Sequence, residues 1–135
     1  MTGYILDWLQ LLLRFLHVIT GIAWIGASFY FVWLDNHLRK PTAPDLQNKG
    51  VDGELWAVHG GGFYNPQKYL IAPKELPSDL HWFYWESYST WLSGIALFLV
   101  VYILNAKTMM IDPRVMTLTE PTAIILSFVF LALGW

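Results

Sequence analysis

The sequence predicts an all-α integral membrane protein, a helical transmembrane bundle of two full spans and part of a third, with a long polar loop after the first span. Three observations carry that expectation. Hydrophobic residues make up 56% of the 135 residues and charged residues only 13%, about half the share of a soluble domain. Two runs are apolar over the length that crosses a bilayer. Aromatic residues reach 17%, with eight Trp and seven Tyr, which suits two membrane interfaces.

The first run covers residues 8–34. Its stretch from Phe15 to Leu34 carries one charged-type residue, His17. At about 1.5 Å per residue it matches a hydrocarbon core. Trp8 and Trp33 lie near its ends, where aromatic belts form. The acidic start MTGYILDW and the absence of a small-residue cleavage pattern argue that this segment is retained rather than cleaved as a signal peptide. Residues 35–84 form the polar segment, with five of the seven prolines. PTAPDLQNKGVDGE reads as loop, and QKYLIAPKEL as one short strand ended by Pro73. Residues 85–104 contain no Lys or Arg and form the second span. The preceding cluster His81, Trp82, Phe83, Tyr84, Trp85 reads first as an interfacial belt. After a second loop, Pro121 is placed to open a third helix, 121–135. That helix is too short to cross, so the expectation is the N-terminal part of a larger membrane domain. Arg39, Lys40, Lys49, Lys68 and Lys74 put the long loop in the cytoplasm and the N-terminus outside.

Net charge of −2 offers nothing to nucleic acid. The lack of cysteine excludes disulfides, thiolate metal sites and covalent haem attachment within these residues. No phosphate loop, dinucleotide fingerprint or HExxH string is present.

Candidate chemistry gathers in three places. On the first helix, Arg14, His17, Gly21, Trp24, Ser28 and Asp35 fall near one face. An ionisable group inside an apolar run is a functional candidate. His17 reads equally as an axial haem ligand, hence a metal ligand, and as a structural hydrogen-bonding group, with a proton relay third. Arg14 either snorkels to the interface or pairs with a haem propionate. On the second span, Glu86 precedes Thr90, Ser93 and Gly94 on a similar face. It reads first as a solvated acid at a helix start and second as a group facing a pocket. In the loop stands His59-Gly60-Gly61-Gly62-Phe63-Tyr64, preceded by Trp56. Three glycines let backbone N–H groups converge on an anion, against the plainer reading of a turn. No nucleophile elbow accompanies the string, which excludes the esterase use of HGGG.

The strings LRFLHVITGIAWIGASFYFVWLD, ELWAVHGGGFY and LHWFYWESYSTWLSGIALFLVVY, in that order, resemble the N-terminal membrane domain of the bacterial membrane-bound, cytochrome c-linked urate oxidases. That resemblance implies a multi-span inner-membrane domain followed by a c-type cytochrome domain. It implies oxidation of urate to 5-hydroxyisourate in purine breakdown, with electrons passed to the cytochrome. Urate would then be the small-molecule substrate and the bilayer a partner. The chain lacks Cys-x-x-Cys-His, so the c-type haem would lie in a part absent from it; a b-type haem at His17 is one reading for the part present, beside the structural one. For an anionic, planar purine, Trp56, Phe63 and Tyr64 offer stacking and Gly60, Gly61 and Gly62 offer N–H donors. His59, His81 and Glu86 are the candidate proton acceptors. A non-catalytic haem-binding anchor and a solute or proton transporter subunit are the competing readings.

Overall fold

A computed structural model describes residues 2–73 and 75–135. Lys74, one of the cations used for the orientation argument, lies outside the described residues. The chain divides into two compact units, one built from residues up to Trp24 and from Tyr84 to Trp135, the other from Ile25 to Phe83.

Helix α1, Thr2–His37, runs through both units and is longer than the expected 8–34. It contains no proline, and its end is chemically marked. His37 Nδ1 lies 2.7 Å from the Trp33 carbonyl and Asn36 Nδ2 donates to the Val32 carbonyl at 2.9 Å. Both side chains fold back onto carbonyls one turn earlier in their own helix, and beyond them the Leu38 N–H still reaches the Leu34 carbonyl at 3.0 Å. Residues Gly3–His37 have a mean hydropathy of 1.7 in their most apolar window, none of which is buried within the chain. Leu12, Ile19, Ile22 and Phe29 are all exposed, a contiguous apolar surface of the kind that marks a contact with protein or lipid.

In the first unit, α3 (Trp85–Leu97) continues into a π-helical segment, Phe98–Ile103. Together they give nineteen residues with a mean hydropathy of 1.3. The hydroxyls of Ser89, Thr90 and Ser93 bond back to the carbonyls of Trp85, Glu86 and Ser89 at 2.6, 2.8 and 2.7 Å. This is how Ser and Thr remain satisfied on an apolar helix. The π segment is closed by the Leu104 N–H on the Leu99 carbonyl and by Asn105 Nδ2 on the Val100 carbonyl at 3.0 Å. A short helix α4 (Ala106–Met109) interrupts the second expected loop. Helix α5 (Glu120–Gly134) starts as its sequence indicates: the Thr119 hydroxyl accepts the Thr122 N–H, and Pro121 sits in the first turn. Val101, Ala106 and Ala123 are buried here, and Phe98 meets Phe128 edge to face at 5.9 Å. Small residues at such contacts let helices approach closely.

The second unit departs from the expected loop. PTAPDLQNKGVDGE contains a helical turn, α2 (Pro44–Asn48), and strand β1 (Val51–Glu54). Strands β2 (Ala57–His59), β3 (Gly62–Tyr64) and β4 (Gln67–Tyr69) follow. β1 pairs with β4 and β2 with β3, both antiparallel. The register runs on unchanged from Glu54↔Gln67 to Ala57↔Tyr64. The two ladders are therefore one β-ribbon, interrupted where Pro66 lacks an N–H to donate. The Leu55 N–H still reaches the Pro66 carbonyl at 3.2 Å, and Asn65 Nδ2 ties down the Leu55 carbonyl. At its base the ribbon joins the chain leaving α1 through paired bonds between Arg39 and Glu54. Leu34 and Val51 are the buried apolar residues of this unit. Ion pairs Lys68–Asp35 (2.8 Å) and Lys40–Asp52 (3.1 Å) are exposed, so each contributes at most about 1 kcal/mol.

Candidate functional site

The first unit places His17 against α3. His17 Nδ1 lies 3.0 Å from the Ser93 hydroxyl, and Thr20 Oγ1 lies 3.3 Å from the same oxygen. Ser93 is only 4% exposed. Its hydroxyl is also within reach of the Ser89 and Thr90 carbonyls, at 2.7 and 3.0 Å. Thr20 donates to the carbonyls of Leu16 or His17. The next residue, Gly94, carries no side chain where the imidazole passes: a Cβ there would stand 3.2 Å from His17 Cε1. The contact to Ser93 uses Nδ1 and leaves Nε2 as the other ring nitrogen.

Beside this contact opens a cavity of about 790 Å³, lined by His17, Trp24, Thr90, Trp91, Gly94 and Phe98 among others. The lining is almost entirely apolar and rich in indole and phenyl rings. A pocket of that character, with one ring nitrogen at its wall, suits a large planar apolar ligand. His17 is the one histidine of this unit. No group of three or more His, Asp or Glu gathers around a common point among the described residues, so a multi-ligand protein metal centre has no support there. A metal carried within a macrocycle needs only axial ligands from protein, and His17 has the chemistry for one.

The other candidates of this unit are less engaged. Arg14 is exposed one turn before His17. Glu86 lies in the first turn of α3, in line with Thr90 and Ser93. Its Oε2 is buried with no hydrogen-bond partner among the described residues, unlike the solvated acid favoured from sequence.

In the second unit the triple glycine resolves into local geometry. Gly60 and Gly61 have φ of 57° and 81°, the two positive values that a tight two-residue hairpin turn requires. His59 pairs with Gly62 across that turn, and Val58 with Phe63. Strand alternation then separates the sequence-derived stacking set. Tyr64 shares a face with His59 and Gly62, while Phe63 shares the opposite face with Val58. A Cβ at Gly62 would stand 3.1 Å from the Tyr64 ring. Trp56, Phe63 and Tyr64 are all well exposed. His81 stacks edge to face on Phe83 at 4.6 Å, and Phe83 on Phe31 at 5.0 Å. Sequence reasoning placed Ser93 on a face with Glu86 but did not join it to His17, and it gave Thr20 no role.

The architecture is that of a helical protein with two long apolar helices, a histidine-bearing cleft and a separate β-ribbon. The chain belongs to the urate oxidase N-terminal family, whose profile matches residues 3–135. Its function is accordingly tied to urate oxidation and purine metabolism. Comparison with curated proteins and with solved structures gives no match.

Proposed function

We propose that this chain is the membrane-embedded part of a urate-oxidising enzyme of the bacterial inner membrane, delivering electrons to a c-type cytochrome domain not contained in these residues. The observation that carries the reading is the family match across residues 3–135. The unburied apolar length of α1 supports the membrane placement. The cations after α1 support a periplasmic N-terminus and a cytoplasmic ribbon.

The overall reaction takes urate and water to 5-hydroxyisourate, two protons and two electrons. Residues of the ribbon meet the demands of the substrate side. His59 brings an imidazole that can take a proton. Tyr64, on the same face, offers an aromatic plane with a polar edge for a flat purine. Gly60 and Gly61 serve first to turn the ribbon and so to hold His59 and Tyr64 in register. On the electron side, His17 is the residue that would hold a b-type haem, with the rings of Trp24, Trp91 and Phe98 excluding water around it. A haem bound there supplies one-electron acceptance and transfer.

The test is turnover by the full-length protein in membrane vesicles with a cytochrome oxidant. Urate consumption matched by cytochrome reduction, without hydrogen peroxide, is expected. His59→Ala should lower kcat by roughly 10²–10⁴-fold, the usual contribution of a proton-transfer group. Urate uptake without oxidation would refute the proposal in favour of transport.

A further inference from the structure

We propose that Ser93 and Gly94 are positioning residues that fix His17 in one tautomer and one ring orientation, presenting Nε2 as the axial ligand to a planar iron macrocycle. The inference rests on the haem reading above and adds how α3 prepares the ligand carried by α1.

A serine hydroxyl has one hydrogen and two acceptor sites. The Ser93 hydrogen is directed to its own helix, with the Ser89 carbonyl at 2.7 Å and the Thr90 carbonyl at 3.0 Å. The Thr20 hydrogen is directed likewise to carbonyls of α1 at 3.0 and 3.1 Å. With its hydrogen on a carbonyl of its own helix, Ser93 Oγ accepts toward His17, which assigns the hydrogen in the 3.0 Å contact to Nδ1. A neutral imidazole with Nδ1–H has its lone pair on Nε2, the ring nitrogen that the Ser93 contact does not use. Ring orientation is fixed by the same two positions. Nδ1 is held by Ser93, and Cε1 lies over Gly94, where a side chain would stand at 3.2 Å. That leaves the Nε2 edge for the apolar cavity that His17 lines. A hydrogen bond from the non-ligating nitrogen is the usual device for orienting a metal-bound histidine. A buried hydroxyl does it here without bringing a charge into the apolar interior.

The test is titration of the purified full chain in detergent with haemin, followed by the Soret band, with gel filtration and circular dichroism showing that each variant is folded. Ser93→Ala should weaken haemin binding roughly 10–100-fold, the usual cost of losing such an orienting partner, and Ser93→Thr should restore most of it. Gly94→Ala, which keeps the hydroxyl but crowds Cε1, should weaken binding as well. His17→Ala should abolish saturable binding. If Ser93→Ala and Gly94→Ala bind haemin as the parent does while His17→Ala does not, the positioning role is overturned and the haem reading stands. If His17→Ala binds undiminished, or the parent does not bind, the haem reading itself falls and this inference with it.

Discussion

Replacing Gly94 by alanine sets two known quantities against each other at the His17 contact. Removing a helical glycine at a position compatible with alanine stabilises a protein by about 0.4–1 kcal/mol, because the unfolded chain loses freedom. At Gly94 the added Cβ would stand 3.2 Å from His17 Cε1 and 3.7 Å from Nδ1, so the ring must give by a few tenths of an ångström. The ring is held by the 3.0 Å contact to Ser93, and weakening a bond of this type costs about 0.5–1.5 kcal/mol. The two effects are of similar size, so Gly94→Ala should show no net gain in stability. Gly21 on α1 provides the control, because a Cβ there meets nothing within 4 Å. Gly21→Ala should show the gain in full. The assay is thermal unfolding in one detergent by circular dichroism, with the ¹⁵N signals of the His17 ring recorded in parallel. The ring signals should shift in Gly94→Ala and stay put in Gly21→Ala. Equal stabilisation by both substitutions, with unmoved ring signals, would refute the close approach of α3 to His17.

Three further outcomes follow from the geometry. Alanine at Gly60 or Gly61 must adopt a positive φ, at about 1–2 kcal/mol for a side-chain-bearing residue. Amide exchange across β2 and β3 should speed up roughly five- to thirtyfold by that cost, while exchange in α3 stays unchanged. Asn105→Ala removes the donor that meets the Val100 carbonyl at 3.0 Å. It should destabilise the π-helical end of α3 by about 1 kcal/mol, visible as faster exchange at Leu104. In the loop before α5, Arg114 bonds Asp112 through its side chain and its backbone N–H and holds that carboxyl below its ordinary range. A depressed carboxyl stabilises the folded turn at and above the ordinary carboxylate range and loses this effect as pH falls through the lowered value. Amide exchange at Val115 and Met116, whose N–H groups bond the Asp112 carbonyl, should therefore rise only at strongly acidic pH, and Asp112→Asn should remove that dependence.

The two long apolar helices were legible because length and hydropathy are read directly from the residues. Pro121 marked the start of α5 to within a residue, whereas the capping role of Thr119 went unread. The ribbon was not legible, and the reason is physical. Its strands are three or four residues long, contain Gly53 and Gly62, are interrupted at Pro66, and alternate too briefly to show a period. One signal was available: Gly60-Gly61 between AVH and GFY is the pattern of a two-residue hairpin turn. The π-helical segment left no mark in FLVVYI, where any helical register looks apolar. Of the cleft, His17 could be picked out because an imidazole is costly among Leu and Ile. Its bond to Ser93 could not, since it depends on how two helices are rotated, and Ser93 resembles any hydroxyl on an apolar helix. Glu86 reads from sequence as a solvated helix-start acid, yet one of its oxygens is buried. Burial of single atoms is set by packing that no local pattern encodes.

The central claim is that urate electrons reach haem through this protein. The most direct test is the anaerobic optical spectrum of the purified full-length protein before and after adding urate. Urate should reduce a c-type band, and a b-type band should be present and be lost in His17→Ala. A spectrum unchanged by urate would contradict that claim.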